Sequence, residues 1–364
     1  MLLSVFAGFG VGGQQVRFTT IANRLGRSWR HAIVAMNGDV SCRERLDSSL
    51  DVSFPDLRTG TDPRLGGNPV GLHRRLRAAL RALQPQTLLT HNWGTIDWAL
   101  ANRFPRPLVA HVHAEDGFGP EEAQRQLRRR VWARRVALQR SVVILPSQTL
   151  HRLAEQTWRL RPATLRHVPN GIDLQRFGGV RLDRPAEWPL AAGGVVVGTV
   201  AALRPEKNLP RLLHAAAQQP EDIRLVIVGD GPDRAALERL AATLLPPGHV
   251  VFTGHRADPS SSYRHMDIFA LSSDTEQMPL SLLEAMASGL PVVSTAVGDV
   301  GVMLAPANRP FAVPLDEAAL ADALARMAAD PALRARLGAD NRARAASCYD
   351  QASMVESWAR LLTA

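Results

Sequence analysis

The most informative stretch of the chain runs from Ser272 to Pro291 and reads SSDTEQMPLSLLEAMASGLP. It begins where an apolar segment, Ile268 to Ser272, ends, and it continues into a helix-like segment, Leu280 to Ser288. A second apolar segment starts at Pro291. An apolar run, a polar turn and a helix-like run in this order predict the strand, loop and helix of a parallel sheet. The fold class of this region is therefore α/β.

The same alternation covers both halves of the chain and predicts two Rossmann-like domains. We predict an N-terminal domain at 1–176, a linker rich in Gly, Pro and Ala at 177–194, a second domain at 195–345 and a C-terminal helix at 346–364. Two such domains leave a cleft at the carboxyl ends of their strands, where open α/β sheets bind ligands. The predicted strands are 2–7, 31–36, 87–90, 108–112, 141–145, 195–201, 224–229, 250–254, 268–272 and 291–296.

The composition excludes several classes of protein. Hydrophobic residues make up 46% of the 364 residues, which excludes a disordered chain. Two cysteines, Cys42 and Cys348, cannot build a disulfide scaffold or a structural zinc site. The apolar runs are too short to span a membrane, and Met1 to Gly13 lacks the basic region and cleavage pattern of a signal peptide. We therefore expect a soluble, cytoplasmic protein.

Positive charge is concentrated in the first half of the chain. Residues 1–180 contain 26 arginines and 13 acidic residues, whereas residues 181–364 contain 17 basic and 21 acidic residues. The segment 121–140 interleaves seven arginines with apolar residues, the pattern of a basic amphipathic helix. Peripheral contact with an anionic membrane is one interpretation, and a solvated face over a core-facing stripe is the other. Nucleic acid is not an expected partner, because aromatic residues make up only 5% and no RNA-binding motif is present.

Two segments of the second half carry side chains that suit a nucleotide sugar. Arg204 and Lys207 follow a predicted strand, and two cations at the carboxyl end of a strand can neutralise a diphosphate. Lys207 is the only lysine among 43 basic residues. Glu276 and Glu284 can accept hydrogen bonds from vicinal sugar hydroxyls. Unpaired backbone N–H groups near 278–280 can bind phosphate oxygens.

The glycine run near the N-terminus matches the pattern of a dinucleotide-binding site. It contains Gly8-x-Gly10-x-x-Gly13 between a predicted strand and a predicted helix, as in dinucleotide-binding proteins. In such proteins an acidic residue at the end of the second strand holds the ribose. Here the only candidate is Asp39, which comes after the end of the predicted strand at 31–36. A tight strand-to-helix turn is the simpler interpretation, with Gly12 and Gly13 facing the cleft.

Polar residues follow two neighbouring strands of the first half. His91, Asn92 and Trp93 come after the strand at 87–90, and His113, Glu115 and Asp116 come after the strand at 108–112. We expect both loops to open toward the cleft and to bind an acceptor, although each could be an ordinary connection. The histidines lie too far from other metal-ligating residues to predict a metal site.

Five motifs in the second half resemble those of the retaining glycosyltransferases of family 4. They are PNGID at 169–173, RPEKN at 204–208, VIVGDGP at 226–232, FTGHR at 252–256 and the pair Glu276-x7-Glu284. The resemblance covers about residues 168–300 and implies the GT-B fold. In that fold, two Rossmann-like domains face each other across a cleft and C-terminal helices cross back to the first domain.

The resemblance also implies roles for individual residues. Lys207 is similar to the lysine that binds the donor's distal phosphate, Glu276 to the glutamate that contacts the transferred sugar, and Glu284 to the one that holds the ribose. His113 resembles a histidine near the reaction centre, with His111 the competing candidate. Further implied donor contacts are Gly12, Gly13, Gly254, His255, Arg256, Gln277, Met278, Pro279 and Leu280, with Arg204 compensating for Ala202, which stands where many relatives have an arginine.

The function implied by the resemblance is retaining transfer of a sugar from a nucleotide-sugar donor to a glycan or lipid-linked acceptor, without a metal or other cofactor. The sequence leaves three alternatives: a nucleotide-sugar epimerase or hydrolase of the same fold, an NAD-dependent oxidoreductase, and a non-catalytic nucleotide-sugar binder. It does not identify the base, the sugar, the linkage or the acceptor.

Overall fold

The computed structural model describes residues 1–57, 69–118, 122, 125–183, 185–219 and 223–363. The chain divides into two compact units. The first comprises Met1–Pro169 together with the residues from Ala352 on, and the second comprises Asn170–Gln351. The predicted linker, 177–194, belongs to the second unit; Phe177 is the last residue of a helix, and residues 178–194 carry no helix or strand where they are described.

The described part of the first unit forms a parallel sheet in the order β3-β2-β1-β4-β5-β6-β7. Between and after the strands lie five helices and the C-terminal α14. The strands are β1 (Leu2–Phe6), β2 (Arg30–Ala35), β3 (Asp51–Ser53), β4 (Thr87–His91), β5 (Ala110–Ala114), β6 (Val142–Leu145) and β7 (Leu165–His167). The helices are α1 (Gly13–Leu25), α2 (Pro69–Leu83), α3 (Ile96–Arg103), α4 (Arg128–Leu138), α5 (Gln148–Gln156) and α14 (Gln351–Thr363).

The central strand β1 shows why this sheet is covered on both faces. Its sequence LLSVF is buried throughout, as expected for a parallel strand between two helical layers. Leu2 and Phe6 point into one layer, which α14 completes with Trp358. Leu3 and Val5 point into the opposite layer. The order of the strands reverses between β1 and β4, so the carboxyl ends of these two strands form the switch point where open sheets bind ligands.

The described part of the second unit forms another parallel sheet, in the order β10-β9-β8-β11-β12-β13. Its switch point lies between β8 and β11. The strands are β8 (Val195–Val200), β9 (Ile223–Val228), β10 (Val250–Gly254), β11 (Ile268–Leu271), β12 (Val292–Thr295) and β13 (Ala312–Val313). The helices are α6 (Leu174–Phe177), α7 (Leu209–Ala217), α8 (Arg234–Leu244), α9 (Ser260–Tyr263), α10 (Leu280–Ala287), α11 (Val300–Met303), α12 (Glu317–Ala329) and α13 (Pro331–Cys348).

Two parallel Rossmann-like sheets confirm the predicted fold class. Every predicted strand is present, with ends shifted by at most two residues. The sequence analysis missed β3, β7 and β13, which contain only two or three residues and lie at or near sheet edges. Among the described residues, no helix combines the length and the apolar character needed to cross a membrane.

The arginine-rich helix is shorter than predicted. We predict a helix at 121–140, but helix α4 spans only Arg128–Leu138, and residues 121, 123 and 124 lie outside the described part. Leu127 has an extended backbone, and its N–H donates to the Glu122 carboxylate at 3.1 Å. This contact turns the chain before the helix, and residues 125–127 are not helical.

Candidate functional site

In the second unit, a glycine loop holds the segment that follows β8. A Cβ atom on Gly229, whose φ is +140°, would lie 1.8 Å from the carbonyl oxygen of Ala201. The Leu203 N–H donates to Asp230 at 2.9 Å, which ties the two loops together. The Gly-Asp-Gly-Pro loop after β9 therefore sets the path of the chain toward Lys207, because only glycine permits this approach.

Lys207 and Glu276 form an ion pair at the switch point of the second sheet. The Lys207 Nζ atom donates to Glu276 Oε1 at 2.5 Å, and the Ser273 hydroxyl donates to the same oxygen at 2.8 Å. The Ser272 hydroxyl donates to the Lys207 carbonyl at 3.0 Å. Two residues that are 69 positions apart in sequence are thus in direct contact, each with part of its side chain accessible to solvent. The sequence analysis assigned them separate roles and missed Ser273, a polar residue three positions before Glu276.

The chain between Glu276 and α10 is anchored from two sides. Asn170, from the PNGID motif, donates its side-chain amide to the Met278 carbonyl at 2.9 Å. On the other side, a Cβ atom on Gly298 (φ +52°) would lie 2.1 Å from the Glu276 carbonyl oxygen. The Asp299 N–H donates to the Gln277 carbonyl at 3.0 Å. Sequence reasoning did not identify Asn170 or Gly298 as residues that support the site.

Helix α10 begins at Leu280 with no side-chain cap. The first N–H groups of a helix have no partner within it, and the helix dipole places partial positive charge at this end. Of the predicted backbone donors, Pro279 has no N–H, and Met278 is buried. The N–H groups that this terminus offers to an anion therefore include those of the first helical residues, from Leu280 on.

Glu284, one turn into α10, contacts a buried tyrosine. The Tyr263 hydroxyl donates to Glu284 Oε2 at 2.5 Å. Burial and the neighbouring Glu284 charge raise the pKa of Tyr263 well above its ordinary value, so its hydroxyl remains a donor. The sequence analysis missed Tyr263. The chain has only two tyrosines, and this rarity was the one feature of the sequence that could have drawn attention to it.

The remaining predicted donor contacts of the second unit lie on its surface. Arg204 is exposed at the start of the 3₁₀ turn that carries Lys207. His255 and Arg256 are exposed after β10, and Gly254 closes that strand with φ +75°. These side chains are accessible to a ligand.

In the first unit, the loops after β4 and β5 are joined by Asn92. Its side-chain oxygen accepts from the Asp116 N–H at 2.6 Å, and its amide donates to Gln14 at 2.6 Å. Asn92 has φ +56° and ψ −178°, a strained backbone region that glycine adopts far more readily than asparagine, and its two side-chain hydrogen bonds hold it there. Asp116 also forms an ion pair with the buried Arg17. The two predicted acceptor loops are therefore in contact.

Arg134 lies at the centre of a buried charge cluster beside these loops. It is fully buried, with Nε 3.0 Å from Glu115 and Nη1 3.3 Å from Glu122, and both carboxylates are buried as well. Burial raises the pKa of Glu115, but Arg134 and His113 lower it more, and the net shift is downward. The guanidinium also lies within 5.1–5.3 Å of three aromatic ring centres, those of Trp93, Phe118 and Trp158.

The predicted position of the histidines was wrong. His91 is the last residue of β4 and His113 lies within β5, because the ladder between these strands continues through the pairs Thr90–His113 and His91–Ala114. Both rings are buried, with exposed fractions of 1% and 0%. His113 lies 2.8 Å from the Thr90 hydroxyl and 3.3 Å from Glu115. The Thr90 hydroxyl also contacts His111 at 2.8 Å, so the two histidines do point the same way, as predicted.

His91 is packed as an aromatic ring. It stacks on Phe6 with ring centres 4.0 Å apart, and neither ring nitrogen has a partner among the described residues. Burial, followed by the nearby Arg17 charge, holds its pKa well below the ordinary value. The ring is therefore neutral and turned away from solvent.

Of the N-terminal glycines, Gly8 and Gly10 are covered by side chains that follow β2, whereas Gly12 and Gly13 are accessible. Gly12 precedes α1 and Gly13 is its first residue, and both are at least partly accessible. Asp39, the candidate ribose ligand of a dinucleotide site, packs against Gly10: a Cβ atom there would lie 2.4 Å from its carboxylate. Asn37 covers Gly8 in the same way.

A pocket of about 410 Å³ opens at the acceptor loops of the first unit. Its walls include Asn92, Trp93, Asp116, Arg130 and Arg134. The Arg130 guanidinium lies over the Trp93 ring at 5.1 Å and pairs with Glu122 at 3.0 Å. The pocket is thus mixed in charge, with one aromatic wall.

Two family models match the chain in succession. Residues 11–176 match the model described as Glycosyltransferase Family 4, and residues 181–344 match the model described as Glycosyl transferases group 1. The GDP-mannose-dependent alpha-mannosyltransferase of Mycobacterium tuberculosis is 34% identical over 182 residues, 46% of each chain. The D-inositol 3-phosphate glycosyltransferase of Xylanimonas cellulosilytica is 30% identical over 284 residues, 70% of this chain and 66% of that protein. The matched segments thus cover less than two thirds of these relatives.

Solved structures share the fold over the whole chain. Anabaena HepE, solved in complex with UDP, is similar with a TM-score of 0.79 and 19% identity, over 100% of this chain and 99% of HepE. The lipopolysaccharide biosynthesis glycosyltransferase WaaG is similar with a TM-score of 0.73 and 18% identity, over 100% of each chain. At these identities the likeness establishes the two-sheet architecture.

Proposed function

Because the chain belongs to the family 4 glycosyltransferases, we propose that it transfers a sugar from a nucleotide-sugar donor to a glycan or lipid-linked acceptor in envelope polysaccharide or glycolipid synthesis. The observation that carries this proposal is the Lys207–Glu276 pair beside the uncapped start of α10. It places a cation, a partly accessible carboxylate and the N–H groups of an uncapped helix start at a sheet switch point. HepE has been solved with UDP and with UDP-glucose, which supports a nucleotide-sugar donor.

We assign the donor contacts of the second unit by chemistry. Lys207 and the α10 N-terminus bind the diphosphate, with Arg204 as a second cation. Both contacts of Glu276 engage Oε1, which leaves Oε2 to accept from a hydroxyl of the transferred sugar. Glu284 accepts from the ribose hydroxyls, and Tyr263 holds its carboxylate in place. Gly254, His255 and Arg256 lie near the base.

The proposed reaction retains the anomeric configuration. The bond between the anomeric carbon and the distal phosphate oxygen breaks, and a bond to the acceptor oxygen forms on the same face of the sugar. The departing phosphate takes the acceptor's proton. Lys207 and the helix N-terminus stabilise the negative charge that develops on the phosphate, so the proposal requires no metal ion.

We assign acceptor binding to the 410 Å³ pocket of the first unit. Asn92 and Asp116 offer hydrogen bonds to sugar hydroxyls, and Trp93 offers an aromatic wall. His113 and Glu115 are fully buried, so we propose that they position Arg134 beneath the pocket. His91 packs behind the same loops and orders them.

Donor binding can be tested by thermal stabilisation with UDP-, GDP- and ADP-sugars and with NAD. A ligand that binds only the folded state raises the melting temperature by mass action. We expect a shift with one nucleotide sugar, loss of that shift in Glu284→Ala, and a smaller shift in Tyr263→Phe, which keeps the carboxylate but loses its 2.5 Å hydrogen bond. Glu238→Ala, an exposed acidic residue on α8, is the matched control. A shift with NAD alone would contradict the proposal.

We also propose that the protein is cytoplasmic and makes peripheral contact with the membrane through α4. Arg128, Arg129 and Arg135 are exposed on this helix, and Trp132 between them is 66% exposed. Arginine and tryptophan together suit the surface of an anionic bilayer.

Cosedimentation with phosphatidylglycerol vesicles at low salt tests this contact. Each basic side chain near an anionic surface contributes about 1 kcal/mol, or about fivefold in binding. We therefore expect the Trp132→Ala/Arg135→Gln variant to bind at least about fivefold more weakly. Arg152→Gln, an exposed arginine on α5, should bind like the parent. Absence of vesicle binding by the parent would refute the contact.

A further inference from the structure

A second pocket of the first unit lies at the opposite end of its sheet. It has a volume of about 370 Å³ and is lined by Ala110 and Ser141, which stand at the amino-terminal ends of β5 and β6. The acceptor loops follow the carboxyl ends of β4 and β5. A five-residue strand spans about 17 Å, so the two pockets are separated by the depth of the sheet. We call this second cavity the arginine pocket.

Two arginines line the arginine pocket and a third lies close by. Arg103, the last residue of α3, and Arg140, just after α4, are in its wall. Burial, and after it the charges of Arg140 and Arg161, lower the pKa of Arg103. Gln139 donates to the Arg159 carbonyl at 3.0 Å and so holds the loop that carries Arg161 beside the end of α4.

Within the described lining, the positive charge of this pocket has no counterion. Among the residues that the structure describes, the Nε and Nη1 atoms of Arg103 are buried without a hydrogen-bond partner, and the lining contains no carboxylate. This contrasts with Arg134, also in the first unit, which is paired with two carboxylates. A buried donor on a charged group costs free energy unless a partner satisfies it, so the cluster is incomplete without an anion.

The rest of the wall is rigid and mixed in polarity. Asn102 accepts from the Leu108 and Val109 N–H groups at 3.2 and 3.1 Å and donates to the Val109 carbonyl. His111 is fixed between the Ser141 hydroxyl at 2.7 Å and the Thr90 hydroxyl at 2.8 Å. Burial lowers the pKa of His111 to about 3, so its ring is neutral. The volume of this preformed cavity, whose wall combines apolar and polar side chains, falls in the range of small-molecule sites.

We propose that the arginine pocket binds a small phosphorylated molecule of about the size of a sugar phosphate, with its phosphoryl group on Arg103 and Arg140. Arginine forms paired hydrogen bonds with phosphate oxygens, and a phosphate would supply the counter-charge that the described lining of the pocket lacks. The pocket walls formed by Leu108 and Val109 would contact the organic part of the ligand. This site is separate from the proposed donor and acceptor sites.

The test is calorimetric titration with glucose 6-phosphate, carried out in a Lys207→Ala background to remove the proposed donor phosphate site. At about 0.15 M salt, long-range charge effects are largely screened. We expect Arg103→Gln to raise the Kd at least about tenfold, the loss typical of hydrogen bonds to a charged group. The charge-matched control Arg152→Gln should change the Kd by less than about twofold. In parallel, we expect the ligand to slow amide hydrogen exchange at residues 107–111 of the parent chain.

Three outcomes would overturn the proposal. The first is that the Lys207→Ala protein does not bind glucose 6-phosphate. The second is that Arg103→Gln lowers the melting temperature but leaves the Kd unchanged, which would assign Arg103 to neutralising the carboxyl end of α3. The third is that Arg103→Gln weakens binding to phosphatidylglycerol vesicles alone, which would identify a lipid headgroup as the anion. Arg103→Lys, which keeps the charge but loses the paired geometry, serves as the variant if Arg103→Gln fails to fold.

Discussion

Lys207→Ala is expected to lower kcat by about 10²- to 10³-fold, the loss typical when one preorganised stabiliser of developing charge is removed. In the proposed reaction the charge grows on the departing phosphate, and Lys207 is held beside it by the 2.5 Å contact with Glu276. The effect should therefore fall mainly on kcat and less on the KM for the donor. Steady-state kinetics with the nucleotide sugar found in the stabilisation assay would measure both constants.

Three comparisons make this prediction specific. Arg239→Ala removes an exposed charge on α8 in the same unit and should leave kcat within about twofold of the parent. Lys207→Arg keeps the charge but changes its geometry, and should recover part of the activity. A chelator should leave the parent's turnover unchanged if Lys207 and the α10 terminus carry the leaving group without a metal. A Lys207→Ala enzyme with near-normal kcat would refute the assigned role.

The residues of the proposed donor site could be located from the sequence because its motifs are local. Strand, loop and helix follow one another within the 20 residues 268–287, so the pattern alone locates Glu276 and the start of α10. What the sequence could not reveal are the contacts between distant segments. The Lys207–Glu276 pair and the Tyr263–Glu284 hydrogen bond depend on how separate elements pack. The spacing of apolar and polar residues along the chain does not predict either of these two contacts.

The acceptor half was harder to predict for a different physical reason. The length of β5 is set by its pairing with β4 and β6, which extends the strand through Ala114 and buries His113. Local propensity had placed the end of that strand at Val112. The arginine-rich helix shows the same limit: its pattern predicts solvated arginines, yet Arg134 is buried because two carboxylates from outside the helix meet it.

Arg134→Met is expected to lower the free energy of unfolding of the first unit by about 3–5 kcal/mol. Removing one partner of a buried ion pair leaves uncompensated charge, here chiefly on the buried Glu115, because Arg130 still pairs with Glu122. For a unit of this size the melting temperature should fall by roughly 10 °C. Calorimetry that resolves the two units would measure the loss, and Arg135→Met, the exposed neighbour on α4, should change stability by less than about 0.5 kcal/mol.

The pH dependence of this loss separates charge from packing. In the parent, Arg134 and His113 hold the pKa of Glu115 below its ordinary value although burial raises it. The resulting stabilisation is therefore present above the unfolded pKa of about 4.3 and disappears as the pH falls through the folded value.

In Arg134→Met burial is no longer opposed by the guanidinium, and Glu115 takes up a proton at a higher pH. The difference in unfolding free energy between parent and variant should thus be largest near neutral pH and shrink in acid. Adding Glu115→Gln and Glu122→Gln to Arg134→Met should recover part of the lost stability. A difference that stays constant with pH would show that Arg134 acts by filling space among Trp93, Phe118 and Trp158 rather than through its charge.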